Sequence, residues 1–103
     1  MYSVTYTLVR PNTEVPFMNP DPQSPVCLKN EEFLRLRAAA PGFVGVSRTR
    51  SPDDLTLVSI SQWESKEAHD TFMTENWELV TLRKALRSAY YADTGIVATV
   101  SKG

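Results

Sequence analysis

The sequence predicts an α+β fold: one four-stranded antiparallel sheet with helices on a single face, in the order β-α-β-β-α-β. Three observations predict it. Four short runs alternate with period two and are rich in apolar and β-branched residues. Two longer runs carry apolar residues at helical spacing, each introduced by a capping serine or asparagine. The order of these runs is that of the split β-α-β, ferredoxin-like layout.

The first run, Tyr2 to Val9, sets Tyr2, Val4, Tyr6 and Leu8 on one face and Ser3, Thr5, Thr7 and Val9 on the other. Five of the seven prolines then fall between Pro11 and Pro25. Proline fixes φ and removes a donor, so this stretch predicts a stiff loop, a proline-rich insertion spanning residues 11–28. Phe17 and Met18 are apolar in an otherwise polar loop. They are expected to dock, either at a cavity mouth or on a partner subunit, and a stiff loop suits the partner better.

Asn30, followed by Glu31 and Glu32, suits a helix start, and Phe33, Leu36 and Ala40 follow at helical spacing. The helix is expected over Asn30 to Ala39, stopping before Pro41-Gly42. Ser24-Pro25 is a second candidate start, with serine at the cap and proline in the first turn. Phe43 to Arg50 and Leu55 to Glu64 read as a hairpin across Ser51-Pro52-Asp53-Asp54, with Val44, Val46, Arg48 and Arg50 on one face. Ser65 caps the next helix. It carries Ala68 and Phe72 on one stripe and His69 and Met73 on the neighbouring one. Trp77 opens or continues a helix with Leu79, Leu82, Leu86 and Tyr90 inward and Arg83, Lys84 and Arg87 outward. Asp93-Thr94-Gly95 is a turn, and Ile96 to Ser101 is the last strand.

The 103 residues suit a single domain spanning 1–103. The net charge is -1 with both signs interleaved, which gives no electrostatic case for nucleic acid. One cysteine and one histidine allow neither an internal disulfide nor a histidine- or cysteine-based metal site. No glycine-rich phosphate loop follows a strand. No metal and no cofactor are expected. Without a long apolar run or a leader-like start, no membrane partner is expected either, and the expected compartment is cytoplasmic. A sheet with helices on one face leaves its other face open, and a second copy of the sheet is the expected cover, giving a homodimer.

The stretch "APGFVGVSRTRSPDDLTLVSISQWESKEAHDTFM" resembles the antibiotic biosynthesis monooxygenase family of the dimeric α+β barrel superfamily. The resemblance rests on Pro41-Gly42-Phe43 entering a strand, an aspartate-containing hairpin turn, and Trp63-Glu64-Ser65 followed by an alanine-containing helix. It implies a dimeric barrel and, in several branches, cofactor-independent oxygenation of aromatic substrates. Haem-degrading members use an asparagine, a tryptophan and a histidine at places that here hold Thr7, Phe72 and Leu82, so haem degradation is not expected.

The candidate site follows from this resemblance. His69 and Tyr6 are the proton-transfer candidates, Arg48 a partner for an anionic oxygen, and Trp63, Phe72 and Trp77 the wall against a small aromatic ligand. Each also has a plain packing role. Two readings stand: a cofactor-independent monooxygenase of a phenolic or quinol-like compound, and a non-catalytic dimeric domain that binds a small ligand or nothing. An open cavity with a few convergent polar groups favours the first. A space filled by Phe72 and Met73 favours the second.

Overall fold

Alternation builds the sheet in this computed structural model, which describes residues 1–103. The strands are β1 (Tyr2–Val9), β2 (Phe43–Arg50), β3 (Thr56–Trp63) and β4 (Val97–Lys102), paired antiparallel in the order β2-β3-β1-β4. The helices are α1 (Pro25–Ala38), α2 (Lys66–Glu75) and α3 (Trp77–Thr94). The predicted ferredoxin-like plan holds, with its second helix split at Asn76 to give β-α-β-β-α-α-β.

Register assigns the faces. Val4, Tyr6 and Leu8 lie opposite Ser61, Ser59 and Leu57, and the helices pack on this side. The other face carries Thr5, Thr7, Val58 and Ile60 in the two central strands, all only half-buried. One face assignment changes in β2. A register shift between Phe43 and Gly45 puts Phe43, not Val44, on the helix side with Val46, Arg48 and Arg50. Such a bulge adds a residue to one strand and resets its parity.

Ser24, not Asn30, starts α1. Its hydroxyl accepts the Cys27 N–H at 3.4 Å, and Pro25 occupies the first turn. Residues 25–28 are therefore helical and the loop is shorter than predicted. α3 runs through Asp93 and Thr94, and ends at Gly95 with φ 77°, the left-handed cap that glycine allows. No helix is long and apolar enough to cross a membrane.

The proline-rich loop folds back on its own subunit, against the expectation that it docks on a partner. Asn12 and Asp21 side chains accept backbone N–H groups two or three residues on, which shapes the loop locally. Phe17 is 8% exposed in a cluster with Leu8, Tyr91 and Ile96. Tyr90 donates to the Pro16 carbonyl at 2.7 Å. Arg10, itself 6% exposed, holds the loop from below. It donates to the carbonyls of Val15 and Asp54, pairs with the Asp54 carboxylate at 2.8 Å, and stacks 4.4 Å from the Phe17 ring centre.

Removing Arg10 leaves the part-buried carbonyls of Val15 and Asp54 without their donor and the Asp54 carboxylate with Arg50 alone. Arg10→Ala is expected to lower stability by about 2–3 kcal/mol in urea unfolding and to expose residues 11–24 to protease. An unchanged midpoint and unchanged cleavage would show that Phe17 and Tyr90 hold the loop without Arg10.

Candidate functional site

Two aromatic clusters sit at opposite ends of the helix-facing sheet surface, and the candidate site is the space between them. At one end Trp63, 1% exposed, meets Phe33 of α1 and Phe72 of α2. At the other, Leu8 packs with Phe17, Tyr91 and Ile96. Between them β3 offers only Ser59 and Ser61, whose small side chains leave room. The result is a cavity of about 280 Å³. This is near the lower edge of the range for small-molecule sites, about 300–1,000 Å³. A second, more open space of about 640 Å³ adjoins it toward β4 and shares Tyr6, His69, Arg83 and Arg87 as lining.

Of the predicted site residues, the structure brings together Tyr6, Arg48, Trp63 and His69, all lining the cavity. It does not bring Phe72 or Trp77 there. Phe72 packs behind Trp63, with ring centres 5.4 Å apart, and edge-on to Phe33 at 5.6 Å. The stripe of α2 that reaches the cavity is His69 and Met73. Trp77 is 61% exposed at the start of α3, on the outer side. The helix break at Asn76 turns it away from the wall assigned to it.

His69 is 2% exposed. Its ring lies between aromatics, 5.1 Å from Tyr2 and 5.6 Å from Trp63, centre to centre. Nδ1 lies 2.9 Å from Asp70 Oδ1. Lys66, at 2.6 Å, and then His69 hold the Asp70 carboxyl below the usual carboxylate range. An ionised carboxylate only accepts, so Nδ1 carries a proton, and in the neutral imidazole Nε2 offers its lone pair. Nε2 is buried and has no partner in the protein. Nitrogen in this state can take a proton from a ligand O–H.

Polar lining residues not assigned to the site from the sequence include Arg37 of α1, Arg83, Arg87 and Tyr91 of α3, and Lys102 of β4. Arg83 and Arg87 had been expected to face water. Arg83 Nε instead donates to Asn30 Oδ1 at 2.9 Å, and its guanidinium lies 3.9 Å from the Phe33 ring centre. Arg87 donates twice to the Tyr91 hydroxyl oxygen, at 3.0 and 2.7 Å, and lies 5.1 Å from the Tyr6 ring. Arg37 lies over Phe33 and Phe43. A stripe Val80, Arg83, Arg87, Tyr91 has the same spacing as the stripe Leu79, Leu82, Leu86, Tyr90, one residue along. The tyrosine within the arginine stripe was the available signal. No three metal-ligating side chains converge anywhere in the chain.

The arrangement supplies an aromatic wall, a base candidate oriented by a carboxylate, and a group of cations. It can bind a flat ring, take a phenolic proton and hold the resulting anion.

Residues 28–77 match the family model described as antibiotic biosynthesis monooxygenase. No curated protein matches the chain. Among solved structures, SnoaB, a cofactor-independent oxygenase from Streptomyces nogalater, is 16% identical with a TM-score of 0.54, over 99% of this chain and 87% of that one. A monooxygenase from the gene ActVA-Orf6 of Streptomyces coelicolor, in complex with nanaomycin D, is 18% identical with a TM-score of 0.55, over 99% and 86%. A further antibiotic biosynthesis monooxygenase is 15% identical with a TM-score of 0.53, over 100% and 96%. At these identities the likeness is one of fold. Sequence and fold point the same way: residues 28–77 carry the pattern of an antibiotic biosynthesis monooxygenase domain, and the chain shares the ferredoxin-like fold of its solved neighbours.

Proposed function

We propose that the chain is a cofactor-independent monooxygenase of a small phenolic or quinol-like aromatic compound, bound in the cavity between sheet and helices. The observation that carries this reading is the buried His69, oriented by Asp70 beside an open cavity with aromatic walls. A domain that bound nothing would fill that space, and Met73 and Phe72 do not fill it.

The chemistry balances with O₂ alone. His69 Nε2 takes the phenolic proton. The electron-rich anion passes an electron to O₂, and the two radicals combine at a ring carbon. The O–O bond then breaks. One oxygen stays as the new carbonyl, and the other leaves as water with two substrate hydrogens. A naphthol thus becomes a naphthoquinone, and the substrate itself supplies every electron. Exclusion of water favours each charge-separated step. Trp63 and Tyr6 flank the ring, and the guanidiniums offset the anion's charge.

The test is oxygen uptake by the purified protein with a naphthol, following quinone absorbance. One O₂ is expected per quinone. His69→Gln is expected to lower the rate about 100-fold or more, with the circular dichroism unchanged. Asp70→Asn, at a half-exposed position, is expected to lower it less, because it removes orientation and not the base. An unchanged rate in both variants would remove His69 from the chemistry. Catalysis only after added flavin or metal would overturn the cofactor-independent reading.

We also propose that the protein acts as a homodimer, joined through the sheet face that no helix covers. Support comes from Thr5, Thr7, Val58 and Ile60, β-branched and half-buried in central strands, flanked by the exposed Val9 and Val97. Light scattering at micromolar concentration should give twice the mass of one chain, and Ile60→Asp should halve it. A monodisperse single chain would refute this assembly.

A further inference from the structure

Four arginines from three elements line the one cavity: Arg37 of α1, Arg48 of β2, and Arg83 and Arg87 of α3. The chain as a whole has a net charge of only -1, so this is a local excess. No aspartate or glutamate lines the cavity. Asp70 reaches only the adjoining space toward β4, where Lys66 and His69 already hold it. None of the chain's ion pairs includes any of the four guanidiniums. Their partners are neutral: the Asn30 amide, the Tyr91 hydroxyl, and the rings of Phe33, Phe43 and Tyr6.

The group is unfavourable as it stands. Burial, then the charges of Arg48 and Arg87, bring Arg37 down to about 10. Burial, then the charges of Arg87 and Arg37, bring Arg83 down to about 9. Both stay charged at neutral pH, so the cavity holds positive charge with nothing to neutralise it. Two buried polar atoms of the lining residues also lack partners, Arg37 Nε and His69 Nε2. Buried polar groups nearly always find one. These two ask for opposite things. Arg37 Nε–H needs an acceptor, and His69 Nε2, in the neutral imidazole with Nδ1 protonated, needs a donor.

One kind of molecule supplies both. We propose that the ligand of this cavity is a hydroxylated aromatic carboxylate, its carboxylate held by the arginines and its phenolic hydroxyl turned toward His69. The planar fork of a guanidinium matches a carboxylate in two parallel hydrogen bonds, which a point charge cannot do. A carboxylate adds the charge that these arginines, and Lys102 beside them, lack. It also fixes the ring so that the hydroxyl, not the acid, meets the base. This deepens the functional reading above, since it rests on the cavity being the substrate site, but it concerns binding and not turnover.

The test compares naphthol with the hydroxynaphthoate that carries a carboxylate on the same ring system. Binding is measured by calorimetry without oxygen. Hydroxynaphthoate is expected to bind at least about 10-fold more tightly, and more weakly as salt is added. Arg83→Met is expected to weaken hydroxynaphthoate at least about 10-fold more than naphthol, methionine keeping the packing on Phe33. Arg48→Met, at an exposed position outside the core, tests the same charge without risk to folding and is expected to weaken hydroxynaphthoate more than naphthol. Equal affinity for the two probes overturns the inference. So does a preference that survives both variants, or binding of neither probe at millimolar concentration. A charge preference without oxygen uptake leaves this inference standing and sinks the oxygenase reading. Oxygen uptake on naphthol with no charge preference does the reverse.

Discussion

Trp63 determines where the helices can sit. The indole ends β3, and within contact distance it meets Phe43 of β2, Phe33 of α1, and both Phe72 and His69 of α2. A rigid aromatic of this size cannot be shared by several elements unless their separations are fixed. The approach is tightest at Gly42. Its φ is 83°, and a β-carbon there would lie 2.6 Å from Ala68 Cβ. Glu64 N–H reaches back to the Gly42 carbonyl at 2.7 Å. Pro41-Gly42-Phe43 and Trp63-Glu64-Ser65 are thus the two sides of one packed junction, which explains why the two motifs occur together. Docking at this end, with the loop closing the other, suspends α1 and α3 over the middle of the sheet. The cavity follows from that suspension. Ser59 and Ser61 keep it open, because a larger residue at either place would reach up into it.

Much of this architecture was readable because it depends on period and punctuation. Strand alternation, Ser65, Gly95 and the Pro52 turn act locally, and local rules place elements well. The choice between Ser24 and Asn30 was open in the sequence, and Pro25 resolves it by presetting φ for a first helical turn. Val44 was misplaced because a bulge leaves no mark on the alternation until the partner strand is known. The loop was misjudged for a related reason. The sequence showed that Phe17 and Met18 needed a dock. It could not show that Arg10, next to the loop, was buried and already reaching for Val15 and Asp54.

The lining of the cavity was legible in part, and the errors share one cause. Trp63, Tyr6, Arg48 and His69 were found through their strand face or motif. Phe72 and Trp77 were assigned to the wall because large aromatics near a cavity are expected to line it. Arg83 and Arg87 were assigned to solvent because charged residues beside a leucine stripe are usually solvated. In α3 the two stripes differ by one residue, about 100° of rotation. An apolar stripe marks the inner face only when the helix packs directly on a core. Here α3 spans a cavity. Its polar stripe faces inward, Leu79 still packs on the Trp63 cluster at one end, and Leu82 goes to the flank. Leu82, 44% exposed, is the cost of that rotation.

That rotation links fold to chemistry. A helix that turned its leucines inward would close the space and gain apolar burial of roughly 25 cal/mol per Å². The observed helix forgoes this and buries two like charges against aromatic rings. Cation–π contacts recover part of the loss, up to about 2 kcal/mol where desolvated, and the Phe33 ring serves Arg83 and Arg37 together. Rings soften the desolvation of a guanidinium without neutralising it, so its charge stays available to a ligand. Carboxylate partners would have stabilised the arginines more, but would have removed the field from the cavity. The chain uses its carboxylates elsewhere. Asp54 holds the loop through Arg10, and Asp70 orients His69. The acidic groups fix position at the two ends of the site, and the cations between them are left to meet what enters.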